Sequence, residues 1–303
     1  MNQEMLNGFE RYIEENKIPV HDIVVYQDGQ VKARKNWDSI QRRNIYSATK
    51  SLTATAVGIA LDEGWFQLDS YVTDLFPNEI EKEHSPLLEK MQIKHLLTMT
   101  MGYEEARLMG AQRANLQGMD WIRYVLNAKM CAEPGDTFLY NNAGPYLLGV
   151  LVQRFSGVSL ETFLWERVLK FLDIDPVTCF EKCPSGYTFG AGGFYLNVDE
   201  LAKIGLLYLQ DGRWEGKQIL PKGWSKESGR TRTFSRGDNI IGYTYGYLFW
   251  VGPDEKWFFA HGKYDQIFMI LPERNAVIAA TADEHRPNKP TVHAIAKTII
   301  PVL

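Results

Sequence analysis

Ser47 and Lys50, in the run Ser47-Ala48-Thr49-Lys50, are the residues whose types and spacing best suit covalent chemistry in this chain. Three residues apart on a helix, a hydroxyl and an amine share one face a turn apart. The surrounding run SATKSLTATAVGIAL is small and apolar on every side with one formal charge, which predicts a helix over 47–61 buried all round. An ammonium in that setting is costly to desolvate, so burial is expected to lower the Lys50 pKa and leave an amine able to take the Ser47 proton. A hydroxyl that is unreactive alone then becomes a nucleophile. Ser47 also opens the helix, where unsatisfied N–H groups and the positive dipole end face a developing oxyanion. The same four residues equally fit an N-cap serine followed by a surface lysine, so the pair needs company.

Two further segments supply it. Tyr140-Asn141-Asn142 follows the turn Pro134-Gly135-Asp136 and precedes a helix, which puts it on a loop. A phenol there can share a proton with Lys50 and protonate a leaving group, and the Asn142 amide can hold a substrate carbonyl. Seen alone, the same triplet is a turn with an N-cap asparagine. Ala260-His261-Gly262-Lys263 ends an aromatic run that reads as a strand. A glycine where a strand edge faces a cleft lets a substrate approach the backbone, and the Lys263 N–H is placed as a second oxyanion donor beside that of Ser47. His261 without context is a hydrogen-bonded strand residue. Gly190-Ala191-Gly192-Gly193 resembles a phosphate loop only loosely and reads as close packing beside the cleft, because no strand leads into it with a helix directly behind. Trp65, Trp121, Tyr187, Tyr243 and Tyr245 are candidates for lining a pocket, with plain core packing as the alternative for each.

These segments must be held by an ordered frame. IVVYQDGQVKA reads as two strands joined by Asp28-Gly29, a strong hairpin signal. Helices are predicted around Leu87 to Thr98, Met119 to Met130, Gly144 to Phe155 and Leu160 to Leu172, with Gly157 at a helix end and Ser159 as an N-cap. Asn197 with Glu200 forms a capping-box signature for a helix running to Gly212. TYGYLFWV, KWFFAHG, QIFMILP and AVIAATA then read as a meander of antiparallel strands, and VHAIAKTII as a closing helix. Strands at both ends imply one sheet built from residues 1–64 and 175–303, with a mainly helical subdomain over 65–174 inserted and the active site in the cleft between them.

Composition bounds the function. Of 303 residues, 45% are hydrophobic and 23% charged, an ordinary soluble globule rather than a disordered chain, collagen or coiled coil. The net charge of −4 gives no global field for nucleic acid or an anionic membrane, so neither is an expected partner. The opening MNQEMLNGFERYIEENKIPV lacks the apolar core of a secretory signal and no stretch suits a membrane helix, which predicts a cytoplasmic protein. Cys131, Cys179 and Cys183 read as free thiols, the Cys-x-x-x-Cys pair lacking two further zinc ligands, and no metal or cofactor is expected. The Gly-x-Ser-x-Gly elbow, the His-Glu-x-x-His pair and the Walker motif are absent.

Ser-x-x-Lys, then Tyr-x-Asn, then a glycine-containing triplet on a late strand resembles the serine β-lactamase and penicillin-binding protein superfamily. Within it the pattern is most similar to class C β-lactamases, D-alanyl-D-alanine carboxypeptidases, family VIII esterases and 6-aminohexanoate-dimer hydrolases. PGDTFLYNNAGPYLLGVLVQRFSG, IKHLLTMTMGY and GGFYLNVDELAKIGLLYLQDGRWEGKQIL extend the likeness over most of the chain. The resemblance implies an α+β fold of β-lactamase/transpeptidase type, an antiparallel sheet flanked by helices. It also implies a nucleophilic Ser47, a Lys50 and Tyr140 acid/base pair, Asn142 on the substrate, and an oxyanion hole from the Ser47 and Lys263 amides. One departure bears on substrate. The third triplet is usually Lys-Thr-Gly or His-x-Gly, and registering Gly262 on its glycine puts Ala260 at the cationic position. β-Lactams and D-Ala-D-Ala termini carry the carboxylate that this cation meets. The expectation is therefore a cytoplasmic hydrolase of a small-molecule ester or amide, with His261 or Lys263 as sources of charge from a shifted position. A penicillin-binding or sensor-type protein with little turnover, and a D-Ala-D-Ala carboxypeptidase or β-lactamase, are the alternatives. Class A enzymes would need a Ser-Asp-Asn loop, which is absent, so Tyr140 is the preferred acid/base group. Oligomeric state is open.

Overall fold

The computed structural model describes residues 3–176, 181–234 and 243–303. Strands β1 (Val20–Gln27) and β2 (Gln30–Asn36) form the expected hairpin, with Asp28 and Gly29 both at positive φ, 54° and 72°, as a two-residue turn between twisted strands requires. The remaining strands of the main sheet come late in the chain: β3 (Thr233–Phe234), β4 (Thr244–Tyr245), β5 (Trp250–Val251), β6 (Phe258–Gly262), β7 (Gln266–Leu271) and β8 (Ala276–Ala282). They join one antiparallel sheet in the order β2-β1-β8-β7-β6-β5-β4-β3, so the first hairpin docks on the last strand, with Val25 opposite Ile278. Every residue of β7 and β8 is buried, which explains their unbroken apolar sequences and requires cover on both faces.

The helices of the described residues include α1 (Asn7–Glu15), α2 (Thr49–Asp62), α3 (Ile93–Leu97), α4 (Ala143–Ser156), α5 (Leu160–Arg167), α6 (Val198–Leu209) and α7 (Pro290–Thr298). α6 starts at the Asn197–Glu200 capping box and lies across β1, β7 and β8. It comes so close that a Cβ on Gly205 would meet Val277 Cγ1 at 2.6 Å. α1 and α7 pack together, burying Phe9, Ile13, Val292 and Ile295. α2 is buried from Thr49 to Ala60, as its sequence predicts. It packs on α4, α5 and β6, and its polar side chains are matched from three directions. Ser51 Oγ donates to Leu248 O (2.9 Å), Thr53 Oγ1 donates to Gly190 O (2.6 Å) and Thr55 Oγ1 meets Tyr208 Oη (2.8 Å).

Three predicted elements are divided. The helix expected over Leu160 to Leu172 is α5 and then a 3-10 segment, Leu169–Leu172, broken at Val168, whose φ is −134° and ψ −64°. The helix expected over Leu87 to Thr98 is a 3-10 segment, Pro86–Lys90, and then α3, separated by extended Met91 and Gln92. Gln92 bridges to Tyr71 and caps α3 together with His95, a tertiary pairing that outweighs helical periodicity. The run TYGYLFWV is two short strands, β4 and β5, paired with each other. Leu248 stands at φ 58° in the turn between them and its N–H bonds Leu97 O, so the chain reverses where continuous β propensity predicts a straight strand. Cys131 is an exposed free thiol and Cys183 a buried one, while Cys179 lies outside the described residues. Among the described residues no single helix is long and apolar enough to cross a membrane.

Candidate active site

Ser47 sits in a 3-10 turn, Tyr46–Ala48, that runs directly into α2. The turn is pinned from outside: Ile45 N–H donates to Phe194 O (2.9 Å) and Tyr46 N–H to Asn44 Oδ1 (2.8 Å). Tyr46 has φ 46°, a left-handed backbone that a bulky residue adopts only under constraint. Its ring packs edge-on against Tyr264 with centroids 5.1 Å apart.

Lys50 is 1% exposed, and its Nζ lies 2.9 Å from Ser47 Oγ, 2.7 Å from Asn142 Oδ1 and 2.9 Å from Ala191 O. Burial drives its pKa well below the ordinary lysine value; nearby Arg113 pushes the same way and Glu181 opposes. An uncharged amine has two hydrogens and one lone pair. The Asn142 and Ala191 oxygens can only accept, so they take the two hydrogens, and the lone pair is left for the Ser47 hydroxyl. The amide of Asn142 is committed at both ends, its Nδ2 donating to Leu108 O at 2.8 Å. Its position is thus beside Ser47, holding the lysine. The same Leu108 carbonyl accepts from Arg113 Nη1, and the Arg113 guanidinium is paired with Glu181 and lies over the Phe189 ring.

Tyr140 stands across from Lys50, whose Nζ is 5.0 Å from its ring centroid. Burial pushes the phenol up to about 12, while a hydrogen bond with Ser47 pulls it down. The ring stacks on Trp250, centroids 5.7 Å apart and 19° between planes, with Tyr245 edge-on behind it. The cleft that opens here, 340 Å³ in volume, is lined by Ser47, Tyr140, Trp250, His261, Lys263, Pro287 and Lys289. That lies near the lower end of small-molecule sites, about 300–1,000 Å³.

The third segment forms the end of β6, which runs beside the Tyr46–Ala48 turn. Its residues alternate. Ala260 and Gly262 are buried, and an added Cβ on Gly262 would fall 1.9 Å from Ile45 O. His261 and Lys263 line the cleft, and Lys289, at the mouth, holds its ammonium 4.4 Å from the Trp250 ring centroid. The glycine-rich loop is close packing: a Cβ on Gly190 would meet Pro145 O at 2.6 Å.

Ser47, Lys50, Tyr140 and Asn142 are therefore contiguous, with His261, Gly262 and Lys263 on the facing strand. Sequence reasoning missed Ala191 O, the Arg113–Glu181 pair, Trp250, Lys289, and Asp265, whose Oδ1 lies 2.6 Å from His261 Nε2. Of the five aromatic candidates, Tyr245 backs Tyr140, whereas Trp65 stacks on Phe155, Trp121 packs on Tyr146 and Phe189, Tyr187 lies by Arg154, and Tyr243 packs on Trp257 and Phe259.

A family profile described as Beta-lactamase matches residues 8–298. The chain is 24% identical over 206 residues to the 6-aminohexanoate-dimer hydrolase of Paenarthrobacter ureafaciens, covering 60% of this chain and 49% of that protein. The chain spans about half the length of the curated relatives it matches, 51% and 49%. Among solved structures it resembles an octameric penicillin-binding protein homologue from Pyrococcus abyssi, with TM-score 0.77 and 22% identity over 97% of this chain and 76% of that one. It also resembles EstCE1, a hydrolase with promiscuous acyltransferase activity, with TM-score 0.77 and 14% identity over 97% of each. At these identities the two structures speak for the fold.

Proposed function

The chain belongs to the beta-lactamase family, and from that footing we propose that it is a serine hydrolase that cleaves a small ester or amide through an acyl-enzyme at Ser47. The observation that carries this reading is the hydrogen count on Lys50: two fixed carbonyl acceptors leave its lone pair for the Ser47 hydroxyl at 2.9 Å. Ser47 Oγ attacks the substrate carbonyl as its proton passes to Lys50. The backbone amides of Ser47 and Lys263 hold the oxyanion, and Tyr140, fed by Lys50, protonates the leaving group. Water then releases the acyl group. Buried Ala260, where relatives of this type carry a cation, supports an ester or amide donor without an obligatory carboxylate at that point.

Intact-protein mass spectrometry with a fluorophosphonate, a chromogenic ester and a penicillin tests the reading, with Ser47→Ala as control. Turnover of the ester lost in the mutant supports the hydrolase. A stable adduct without turnover supports a sensor-type protein instead, and no adduct with any probe rejects the nucleophile. Tyr140→Phe is expected to keep the fold and lower kcat by about 10²-fold, the usual worth of a positioned proton donor, with KM little changed. Steady-state ester kinetics read this, and a variant within twofold of wild type removes Tyr140 from the proton path.

A further inference from the structure

We propose that His261, held by Asp265, is the base that activates the water releasing the acyl group from Ser47. The proposal rests on the acyl-enzyme reading above and adds a second base to it. His261 Nε2 lies 2.6 Å from Asp265 Oδ1, and Asp265 Oδ2 accepts the backbone N–H of Thr291 in the first turn of α7 at 2.8 Å. The Asp265 side chain is 3% exposed. It reaches this place because Tyr264 and Asp265, successive residues of the β6–β7 turn, both stand at positive φ, 66° and 60°. Two bulky side chains in left-handed backbone mark a turn constrained by its surroundings. The constraint folds Asp265 back under the histidine of its own hairpin.

This geometry fixes the tautomer. Burial alone would raise the Asp265 pKa, but the bonds from His261 and Thr291 hold it below its ordinary value, so the group is a carboxylate. A carboxylate only accepts, which places the imidazole hydrogen on Nε2. Burial also holds His261 below the usual histidine value despite Asp265, so the ring carries that one hydrogen at neutral pH. Nδ1 is then a bare acceptor and the ring's remaining polar atom, on a side chain 14% exposed that lines the cleft with Ser47 and Tyr140. An acceptor cannot bind a carboxylate, so His261 does not replace the cation missing at Ala260. It suits a water.

The two bases divide the cycle by direction. Lys50 meets Ser47 from beneath, bonded to Asn142 and Ala191, whereas water enters from the cleft, where His261 stands. The water oxygen bonds to the acyl carbon as its proton passes to Nδ1. The adduct collapses with cleavage of the bond to Ser47 Oγ, Oγ takes a proton from Tyr140, and the proton on Nδ1 returns to the phenol through solvent. The titratable and charged groups around the dyad are Lys289 at the start of α7 and His293 within it, Glu284 paired with Arg286 after β8, Lys263 just past the end of β6 and Tyr140 across the cleft.

Rapid mixing with p-nitrophenyl acetate, paired with intact mass, separates the two half-reactions. His261→Gln is expected to slow deacylation by about 10²-fold, keep the acylation burst within about threefold of wild type, and accumulate acetylated protein. In Asp265→Asn the acidic limb of the deacylation rate is expected to move to lower pH, because Asp265 raises the histidine's affinity for protons; a merely structural role would leave that limb in place. Unchanged deacylation in His261→Gln, or equal loss in both half-reactions, overturns the proposal while wild-type acylation leaves the acyl-enzyme reading intact. Wild type that neither turns over the ester nor forms an acetyl adduct overturns both. If His261→Gln does not fold, the Asp265→Asn limb decides, and an unmoved limb rejects the dyad.

Discussion

Lys50→Met is expected to lower the acylation of Ser47 by about 10³-fold or more, approaching the loss in Ser47→Ala, since the hydroxyl then has no base to take its proton. Methionine fills a similar volume, so the buried helix is expected to survive, which circular dichroism checks. Fluorophosphonate labelling and the ester burst report the loss directly; near-full labelling of the variant would reject Lys50 as the base. The wild-type rate is expected to rise with pH through the depressed lysine pKa and then level off, because only the uncharged amine can accept the proton. Stability carries the same signature. Between the folded value and 10.5 the unfolded chain holds a proton that the native chain lacks, so this site's contribution to stability rises with pH across that window and is lost as pH falls through the folded value. Urea titrations of wild type and Lys50→Met at several pH values should differ by that slope.

The second large effect is expected at Gly262→Ala, a change of one methyl group. Its Cβ would fall 1.9 Å from Ile45 O, 2.9 Å from Ile45 C and 3.2 Å from Ala48 N, all backbone atoms flanking Ser47. No side chain can rotate away, so either β6 withdraws or the Tyr46–Ala48 turn shifts. Overpacking of this kind costs about 1–3 kcal/mol. A displacement of about 1 Å at the reacting groups costs about 10²-fold in rate. Both losses are expected together, in urea melts and in kcat/KM. Gly110→Ala is the control, since nothing lies within 4 Å of its Cβ and it should be silent in both. A Gly262→Ala protein as stable and active as wild type would mean that the strand does not abut the turn.

What could be read from the sequence was local or ordered along the chain. The Ser47 to Lys50 spacing, the all-round apolar helix, the Asp28-Gly29 hairpin and the Asn197 capping box each depend on neighbours a few residues apart, and all four are present, although the helix read over 47–61 begins at Thr49 with Ser47 in the 3-10 turn before it. The partners that complete the site are remote. Ala191 O reaches Lys50 through a backbone carbonyl, which any residue type supplies, so no sequence signal marks it. Asn142 was visible as a site residue, but its amide faces Lys50 and Leu108, a choice set by the course of the chain at Arg107 and Leu108. His261 and Asp265 are four apart, a spacing that suggests a helix face. They meet because a strained hairpin turn bends back, and no pattern of residue types announces left-handed tyrosine. The break in TYGYLFWV was hidden for a related reason: its residues favour strand, and the tertiary contact to Leu97 is what turns the chain.

The hydroxyls of α2 carry one more implication. Ser51, Thr53 and Thr55 are answered by Leu248, Gly190 and Tyr208, all more than a hundred residues downstream, and Lys50 waits on Ala191 as well. Contacts of such sequence separation form late and slowly in folding. Until those contacts form, Ser47 is an ordinary alcohol beside an ordinary ammonium. On the proposed mechanism, the capacity to be acylated arrives only once Asn142 and Ala191 have docked on Lys50, so acylation would serve as a clock for that step of folding.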